Sequence, residues 1–479
     1  MRTGRVLRAL VGLVLLLIAL PVNAQSGAAV LRVGPGQPYA TLDAALQAAA
    51  PGDTIEVHGG QYPAPLIVDK SVQLVGVDRP VIDGGGEGSL VLISAPDVRF
   101  EGFRVRASGE NLGREDTGIV VQAARVTVAN NVLEDVLFGI YFANAADGIA
   151  RGNHVTCKPR DIGVRGDGMR VWYSTNVQIL DNVVESCRDT LIWYAEHVVL
   201  AGNQFRNNRY GMHSMYSSHA LVQGNLFEGN SVGSYLMYSR YATLTGNHFL
   251  WNRGPSGYGI AFKEMDEAVV EGNVLVGNRS GLYIDNSPAL VDVTNRIAEN
   301  FIAYNDIGIS ALPSTLRNEF TGNTFLENLQ QISVLGRGDL LGNAWQVDGA
   351  GNYWSDYAGY DRDGDGIGDV PYRAERLFES LADREPGLRL FTFSPASQAM
   401  DFAAAAFPTL RPDPKVIDTA PQMRYTLPPA LAFAPRTRPG AFLVVSLGLV
   451  LAGGGVLLAA GLQPRRRRRR LRPVAERQG

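Results

Sequence analysis

Two consecutive stretches of this sequence repeat one another: Gly202–Gln223 reads GNQFRNNRYGMHSMYSSHALVQ, and Gly224–Thr245 reads GNLFEGNSVGSYLMYSRYATLT. Each contains an anchoring asparagine, a later glycine and short β-rich runs. The anchoring asparagine recurs every 20 to 29 residues, at Asn131, Asn153, Asn182, Asn203, Asn225, Asn247, Asn273, Asn300, Asn323 and Asn343. This pattern is typical of a parallel β-helix, in which each unit forms one rung. Leucine does not recur at the spacing of leucine-rich repeats, which excludes that solenoid.

Two further positions recur within each unit. A second asparagine follows the first by five residues, at Asn208, Asn230, Asn252, Asn278, Asn305 and Asn328. A glycine follows by eight, at Gly139, Gly211, Gly233, Gly281 and Gly308. We expect the asparagines to stack at tight turns with left-handed backbone and to hydrogen-bond along the stack. We expect the glycines to permit turns that a Cβ would block. The predicted fold is an all-β parallel β-helix over residues 25–395.

The N-terminal region carries export and capping signals. Three arginines precede an apolar run, Ala9–Leu20, and a small-residue cleavage site ends at Ala24, so residues 1–24 are predicted to be a secretory signal peptide. Gln37–Ala50 is predicted to form a capping helix with Thr41 or Asp43 as N-cap. The next segment, Gly52–Gly76, resembles the opening of secreted right-handed β-helices of the carbohydrate-binding and sugar-hydrolase type.

The C-terminal region changes composition three times. Residues 396–439 are rich in Pro and Ala, which predicts an extended linker or a strap along the solenoid. Residues 441–462 form an uncharged apolar run long enough to cross a bilayer. Residues 463–479 contain the run Arg465–Arg470, which the positive-inside rule places in the cytoplasm. A processed sorting tail is an alternative for this end of the chain.

The charge distribution argues against a nucleic-acid partner. The chain has 44 basic and 47 acidic residues and a formal net charge of −3. Without residues 1–24 and 465–479, 33 basic and 46 acidic residues remain, a net charge of −13. Such a body repels nucleic acid. The two cysteines, Cys157 and Cys187, either bridge neighbouring rungs or stay as buried free thiols.

A methionine–histidine cluster is predicted on one outward face of the solenoid. Alignment of the strands after each glycine gives two outward columns. The first contains Arg170, Ile192, His213, Tyr235 and Ala261, and the second contains Trp172, Tyr194, Met215, Met237 and Lys263. His213, Met215 and Met237 therefore come close together, with His197 and His219 in the following turn, while Met212 faces the core. Thioether and imidazole ligands suit Cu(I), so these five residues form a copper hypothesis.

Two other uses of this face stay open. The aromatic residues around it could form a protein-docking surface. They could also form a ladder for a polysaccharide, as Trp172, Tyr173, Tyr194, Tyr216, Tyr235 and Tyr238 would. A polysaccharide lyase or epimerase needs closely set acidic and basic groups. The candidates are Lys263, Glu264, Asp266, Glu267 and Asp285, one rung away from the aromatics.

A distinct block follows the last repeats: Gly351–Tyr372 reads GNYWSDYAGYDRDGDGIGDVPY. The spacing of Asp361, Asp363, Asp365 and Asp369 approaches that of a calcium loop. The bidentate glutamate of an EF-hand is missing, since Tyr372 stands in its place. The block predicts a structural calcium site, and a solvated Asp/Gly turn is the alternative.

A chain with this block after asparagine–glycine repeats and a secretory signal resembles the NosD family. The resemblance covers Val30 to Arg389. The resemblance implies a periplasmic, non-enzymatic accessory protein of nitrous oxide reductase maturation. It implies work with an ABC transporter on the copper–sulfur centre of the reductase, and receipt of copper from a lipoprotein chaperone. The predicted C-terminal helix would anchor the solenoid to the inner membrane.

Overall fold

The computed structural model describes residues 28–428, which wind into a parallel β-helix with three long sheets. Each rung contributes one strand to each sheet, and each strand pairs in parallel with the strands of the neighbouring rungs. The prediction of a parallel β-helix is therefore confirmed. The predicted signal peptide (1–24), apolar span (441–462) and basic tail (463–479) lie outside the described residues. No helix within residues 28–428 has the length and apolarity to cross a membrane.

The strands have these bounds. Sheet 1 contains Val30–Val33, Thr54–Val57, Gln73–Gly76, Arg99–Glu101, Thr127–Ala129, Ile149–Arg151, Gln178–Leu180, Val199–Ala201, Leu221–Gln223, Thr243–Thr245, Val269–Glu271, Asn295–Ala298 and Asn318–Thr321. Sheet 2 contains Gln61–Pro63, Val81–Asp83, Arg104–Arg106, Val132–Val136, His154–Cys157, Val183–Glu185, Gln204–Arg206, Leu226–Glu228, His248–Leu250, Val274–Val276, Phe301–Ala303, Thr324–Leu326 and Tyr353–Trp354. Sheet 3 contains Leu66–Val68, Val91–Ile93, Thr117–Val121, Phe138–Ala143, Met169–Trp172, Asp189–Trp193, Tyr210–Met215, Val232–Met237, Tyr258–Lys263, Ser280–Asp285, Ile307–Ala311 and Gln330–Val334. The short strands Tyr372–Arg373 and Ile417–Asp418 form an antiparallel pair.

Buried asparagine ladders connect the rungs. In the anchoring ladder, the backbone N–H and the Nδ2 of Asn203 both donate to Oδ1 of Asn225, at 2.9 Å each. The second ladder is built in the same way, and Asn230 donates to Asn252 through both groups at 3.0 Å. The predicted hydrogen bonding along the stacks is confirmed. In the anchoring ladder from Asn131 to Asn323, the left-handed backbone falls on the residue before each asparagine, such as Gly224 with φ of 62°, and not on the asparagine itself.

The anchoring ladder ends differently from the prediction. Asn323 donates to Asn352, not to the predicted last member Asn343. Asn343 accepts from Asn318 and so belongs to a third ladder, which starts at Asn295. A tight turn closed by Val347 and Ala350 lies between Asn343 and Asn352. The spacing of the asparagines alone does not show which of the two belongs to the anchoring ladder.

The recurring glycines serve close packing inside sheet 3, not turns as predicted. Gly211, Gly233 and Gly281 have no left-handed backbone and lie within strands. A Cβ on Gly211 would come within 2.6 Å of the carbonyl oxygen of Gly233, and one on Gly281 within 2.8 Å of that of Gly308. Glycine is needed there because successive rungs approach too closely for a side chain.

One short helix covers the N-terminal end of the solenoid. Helix α1, Leu42–Ala48, is shorter than the predicted Gln37–Ala50, and its N-cap is Thr41, whose side chain accepts from the N–H of Ala44. Leu42, Ala45 and Leu46 are buried against the first strands. Lys70 satisfies the other helix end, since its Nζ donates to three carbonyl oxygens there at 2.8 to 3.0 Å.

The C-terminal end is closed by a helical cap, and this corrects the predicted linker of residues 396–439 over its described part. Helix α2 spans Leu377–Arg384 and helix α3 spans Pro395–Ala406. The following chain returns to the solenoid, where Lys415 and Asp418 are buried. Lys415 Nζ donates to Asp383 at 2.9 Å, and Asp418 accepts from the N–H of Asn352 at 2.8 Å. A Pro/Ala-rich composition resembles a linker because these anchoring contacts join residues far apart in the chain.

A buried carboxyl in this cap makes stability depend on pH. Burial raises the pKa of Glu379 to about 7, although Lys415 and Arg376 oppose the shift. Between the ordinary glutamate pKa and about 7, the unfolded chain is ionised while the folded chain keeps its proton. We therefore expect the free energy of unfolding to fall by about 3 kcal/mol as pH rises through this window.

Substitution Glu379→Gln should remove this dependence, and Glu385→Gln, at an exposed position, should retain it. Denaturation midpoints measured from pH 4 to 8 for the three proteins check the expectation. An unchanged slope in Glu379→Gln would assign the pH dependence to other groups.

The open alternative for the cysteines is resolved, since Cys157 and Cys187 form a disulfide with 4.9 Å between their Cα atoms. The bridge joins the strand before the insertion 158–167 to the next rung. It thereby fixes the insertion beside the start of the sheet 3 strand Asp189–Trp193.

Candidate functional site

The outer face of sheet 3 carries two columns of side chains in register across the rungs. The first column contains Tyr141, Arg170, Leu191, His213, Tyr235, Ala261 and Tyr283. The second contains Trp172, Trp193, Met215, Met237, Lys263 and Asp285. The prediction that Ile192 and Tyr194 occupy these columns is wrong. The register shifts at a bulge between Asp189 and Leu191, so Leu191 and Trp193 take their places.

The two methionines are neighbours on this face. Met215 and Met237 are direct Cα partners on adjacent strands, and both side chains are half-buried. His213 precedes Met215 by two residues on the same strand and therefore points to the same side of the sheet. Met212 is fully buried in the core, as predicted. The structure thus brings together His213, Met215 and Met237 by register.

His213 is more enclosed than an exposed-face prediction implies. Its side chain is 12% exposed, and the ring of Tyr210 packs edge-on against it at 4.9 Å between centroids. Nδ1 lies 3.3 Å from Oδ2 of Asp189. Nε2 is buried and has no hydrogen-bond partner within the described chain. A buried ring nitrogen without a partner is a ready ligand atom.

Asp189 is the group that sequence reasoning missed. It lies on the preceding rung, is 1% exposed and accepts from Arg209 Nε at 2.9 Å. Burial raises the pKa of Asp189, but the hydrogen bonds from His213 and Arg209 outweigh burial, and the pKa lies below its ordinary value. A charged carboxylate at Nδ1 favours the tautomer with a free lone pair on Nε2. This is the common arrangement behind metal-binding histidines. Only the strand register, which a single sequence does not show, places Asp189 beside His213.

A second buried carboxylate supports this side of the site. Asp167 is fully buried, and its side chain accepts from Arg170 at 2.8 Å and from Arg188 at 2.9 Å. Burial, with the nearby charge of Asp189, raises the pKa of Asp167. Arg170 lies in the first outward column as predicted, and there it is only 6% exposed, with its guanidinium over the ring of Phe138. An ion-pair cluster therefore lies next to His213 on this face.

His197 and His219 lie in a separate ladder at the corner between sheets 3 and 1. Their rings stack on each other at 4.7 Å, and His219 stacks on Tyr241 at 4.7 Å. Both histidines are exposed and have left-handed backbone. His197 follows Trp193 of the second column by four residues, and His219 follows Met215 by four, with a turn between them in each case. The structure therefore does not add them to the face that carries His213.

A tyrosine ladder borders the methionine column. Tyr173, Tyr194, Tyr216 and Tyr238 stack with 4.7 to 5.0 Å between successive ring centroids and planes within 16°. Each inner ring therefore covers the faces of its neighbours and leaves its edge and hydroxyl to solvent. Sugar rings stack on open aromatic faces, so this geometry does not favour a polysaccharide platform.

Two of the acidic residues considered for catalysis, Asp266 and Glu267, have structural partners. Asp266 is buried and accepts from the N–H groups of Ala289 and Leu290 at 2.8 and 3.0 Å. Glu267 pairs with Arg240 at 3.1 Å. These contacts hold the turn together and leave three of the five candidates, Glu264 and the direct strand partners Lys263 and Asp285.

The aspartate loop gathers three of its four predicted ligands. Asp361, Asp363 and Asp365 each place a carboxylate oxygen within 4.8 Å of the others. Asp369 accepts from the N–H of Arg362 at 2.7 Å and closes the loop. Tyr372 is buried against Trp354 with 4.2 Å between ring centroids, so it offers no ligand in place of an EF-hand glutamate.

Comparison with protein families identifies the chain. A family model described as periplasmic copper-binding protein (NosD) matches residues 150–359, which include His213, Met215 and Met237, and a model of a right-handed β-helix region matches residues 71–227. The solenoid is similar to the A-module of the mannuronan C-5 epimerase AlgE6 from Azotobacter vinelandii, with 14% identity, a TM-score of 0.46 and coverage of 64% of this chain and 93% of that one. We infer no activity from that likeness.

Two curated relatives are more similar in sequence. A protein of Pseudomonas aeruginosa named "Probable ABC transporter binding protein NosD" is 34% identical over 409 residues, which cover 76% of this chain and 87% of the relative. A protein of the same name from Stutzerimonas stutzeri is 30% identical over 386 residues, with coverage of 76% and 85%. The chain belongs to the NosD family of periplasmic copper-binding proteins.

Proposed function

We propose that this protein is a non-enzymatic accessory factor for nitrous oxide reductase maturation, which works with an ABC transporter to supply the copper–sulfur centre. The observation that carries the proposal is the similarity over three quarters of the chain to two proteins named as NosD transporter-binding proteins. The family description as periplasmic and copper-binding supports copper as the cargo. A polysaccharide lyase or epimerase has less support, because the ring faces of the tyrosine ladder are covered.

The copper cargo would be held on sheet 3 by Nε2 of His213 and the thioethers of Met215 and Met237. The residues fit the metal, because Nε2 of His213 is buried without a partner and the charged Asp189 fixes the tautomer. Two thioethers and one imidazole favour Cu(I) over harder divalent ions. His197 and His219 are left out of this set because they lie at a different corner.

The proposed setting is the periplasmic face of the inner membrane. Residues 1–24 would direct export, and residues 441–462 would anchor the body next to a transporter. Tethering raises the effective concentration of the solenoid at the transporter without new contacts. A lipoprotein copper chaperone would act as donor and nitrous oxide reductase as recipient.

The role is tested in a denitrifying host that expresses the reductase and its maturation partners with and without this chain. We expect reductase purified without the chain to lack the copper–sulfur centre, measured by copper content and visible absorption. The Met215→Ala/Met237→Ala variant should fail to restore the centre although the protein is present. A complete centre in the absence of the chain would contradict the proposal.

The aspartate loop is proposed to bind a structural calcium ion. Three convergent carboxylates without a bidentate glutamate predict weak affinity, in the range of about 10⁻⁴ to 10⁻³ M for extracellular sites. We expect calcium to raise the thermal midpoint of the wild type and to have a much smaller effect on Asp361→Asn. Asp292→Asn, on an exposed turn, is the control. Equal calcium responses of wild type and Asp361→Asn would place any calcium site elsewhere.

A further inference from the structure

The C-terminal cap exposes an unusual number of large apolar side chains. We define the apolar cap face as the exposed residues Leu390, Phe391, Phe393, Phe402, Phe407 and Leu410. Phe402 is 77% exposed and Leu390 is 89% exposed. Together these side chains present several hundred Å² of apolar surface within about twenty residues of chain.

Helix α3 departs from the usual amphipathic pattern. Its two buried residues are the small Ser397 and Ala404, whereas its largest apolar side chain, Phe402, is exposed. Its single charged residue, Asp401, faces the protein and accepts from the N–H of Phe378 at 2.9 Å. The outward face of the helix, with Ala399 one turn before Phe402, carries no charge. A helix that faced only water would place charged side chains there.

The position of this face in the chain indicates what covers it. Helix α3 packs on helix α2, and α2 packs on the last strand of sheet 3, so the face lies at the C-terminal end of the solenoid. The described chain ends at Pro428, and the uncharged run 441–462 begins after residues 429–440. Those twelve residues span at most about 43 Å when fully extended. A membrane anchor at 441–462 would therefore hold this end of the solenoid near the bilayer.

We propose that the apolar cap face lies in the interface of the lipid bilayer. Phenylalanine and leucine side chains on an uncharged helix face enter the boundary between headgroups and acyl chains. The solenoid would then contact the membrane through its C-terminal cap. This inference rests on the anchor of the proposed function and adds a second, independent contact between the folded domain and the membrane.

The test uses the full chain in nanodiscs of phosphatidylcholine and phosphatidylglycerol. The two native cysteines are joined in a disulfide, so a cysteine introduced by Ala399→Cys is the only free thiol for an environment-sensitive fluorophore. Ala399 is exposed and its substitution leaves every phenylalanine in place. Val291→Cys, at a residue 73% exposed on a solenoid turn, is the matched control. Equal thermal midpoints establish that both labelled chains are folded.

We expect a blue shift of emission and quenching by spin-labelled lipid at position 399, with neither at position 291. The shift should be lost in a Phe393→Ser/Phe402→Ser background. A label at position 399 that stays polar in empty nanodiscs would overturn the proposal, and so would a shift that requires a co-reconstituted ABC transporter, because the face would then bind protein. A chain that separates from the nanodiscs would disprove the anchor. Copper titration of the same sample tests the cargo role separately.

Discussion

Simultaneous substitution of Met215 and Met237 by alanine is expected to weaken Cu(I) binding by about 100-fold or more. Substitution of the residues that only hydrogen-bond to metal ligands already lowers metal affinity by about 10- to 100-fold. The two residues are direct strand partners beside the unpartnered Nε2 of His213. Their removal leaves one imidazole, which cannot hold a soft ion tightly by itself. Anaerobic competition with a chromophoric Cu(I) chelator measures the affinity.

The matched control for this experiment is Met400→Ala, because Met400 is also half-buried but lies in helix α3 of the cap. It should bind copper like the wild type. His213→Gln should lose affinity as the methionine pair does, and Asp189→Asn should lose less, because Asp189 acts only through the imidazole. Absence of Cu(I) binding by the wild type, or equal binding by the double variant, would remove this site and favour a docking role for the face.

Substitution Asn225→Ala is expected to destabilise the solenoid by about 4 kcal/mol. Oδ1 of Asn225 accepts from the N–H and Nδ2 of Asn203, and its Nδ2 donates to the carbonyl oxygen of Leu200 at 2.9 Å and to Asn247 at 3.0 Å. Alanine leaves the buried N–H of Asn203 without its acceptor, and Nδ2 of Asn203 and Oδ1 of Asn247 each lose one of their buried hydrogen bonds. The denaturant midpoint measures the loss.

Gln223→Ala is the control, because Gln223 is exposed two residues earlier on the same rung. Its midpoint should stay within about 0.5 kcal/mol of the wild type. A similarly small effect of Asn225→Ala would mean that the ladder contributes little and that the apolar core, with stacks such as Phe205–Phe227–Phe249, holds the rungs alone.

The solenoid is predictable from the sequence because each rung needs a buried asparagine at the same turn, and this asparagine recurs along the sequence. The register between strands of neighbouring rungs is harder to predict. The bulge at Asp189 changes which side chains share a column, and nothing in the local sequence marks it. For the same reason, the Asp189–His213 contact appears only once the register is known.

The N-terminal helix and the C-terminal cap differ in how well the sequence predicts them. Helix α1 is predictable because its apolar residues and its N-cap are local signals. The C-terminal cap is not, because its alanines and prolines resemble a linker. Its anchoring groups, Lys415 and Asp418, find partners dozens of residues away. Composition describes a segment, whereas burial depends on what the rest of the chain places against it.

The asparagine ladder is also directional. In the anchoring ladder, each asparagine donates through its N–H and Nδ2 to the asparagine of the next rung, so the last one, Asn352, needs an acceptor of another kind. Asp418 ends this series: its carboxylate accepts from the N–H and Nδ2 of Asn352 and from Nε1 of Trp354, and a carboxylate side chain has no donor of its own. Asp418 is therefore the last acceptor of the anchoring ladder. It closes the anchoring ladder at the C-terminal end and leaves no side-chain donor there to pair with another solenoid.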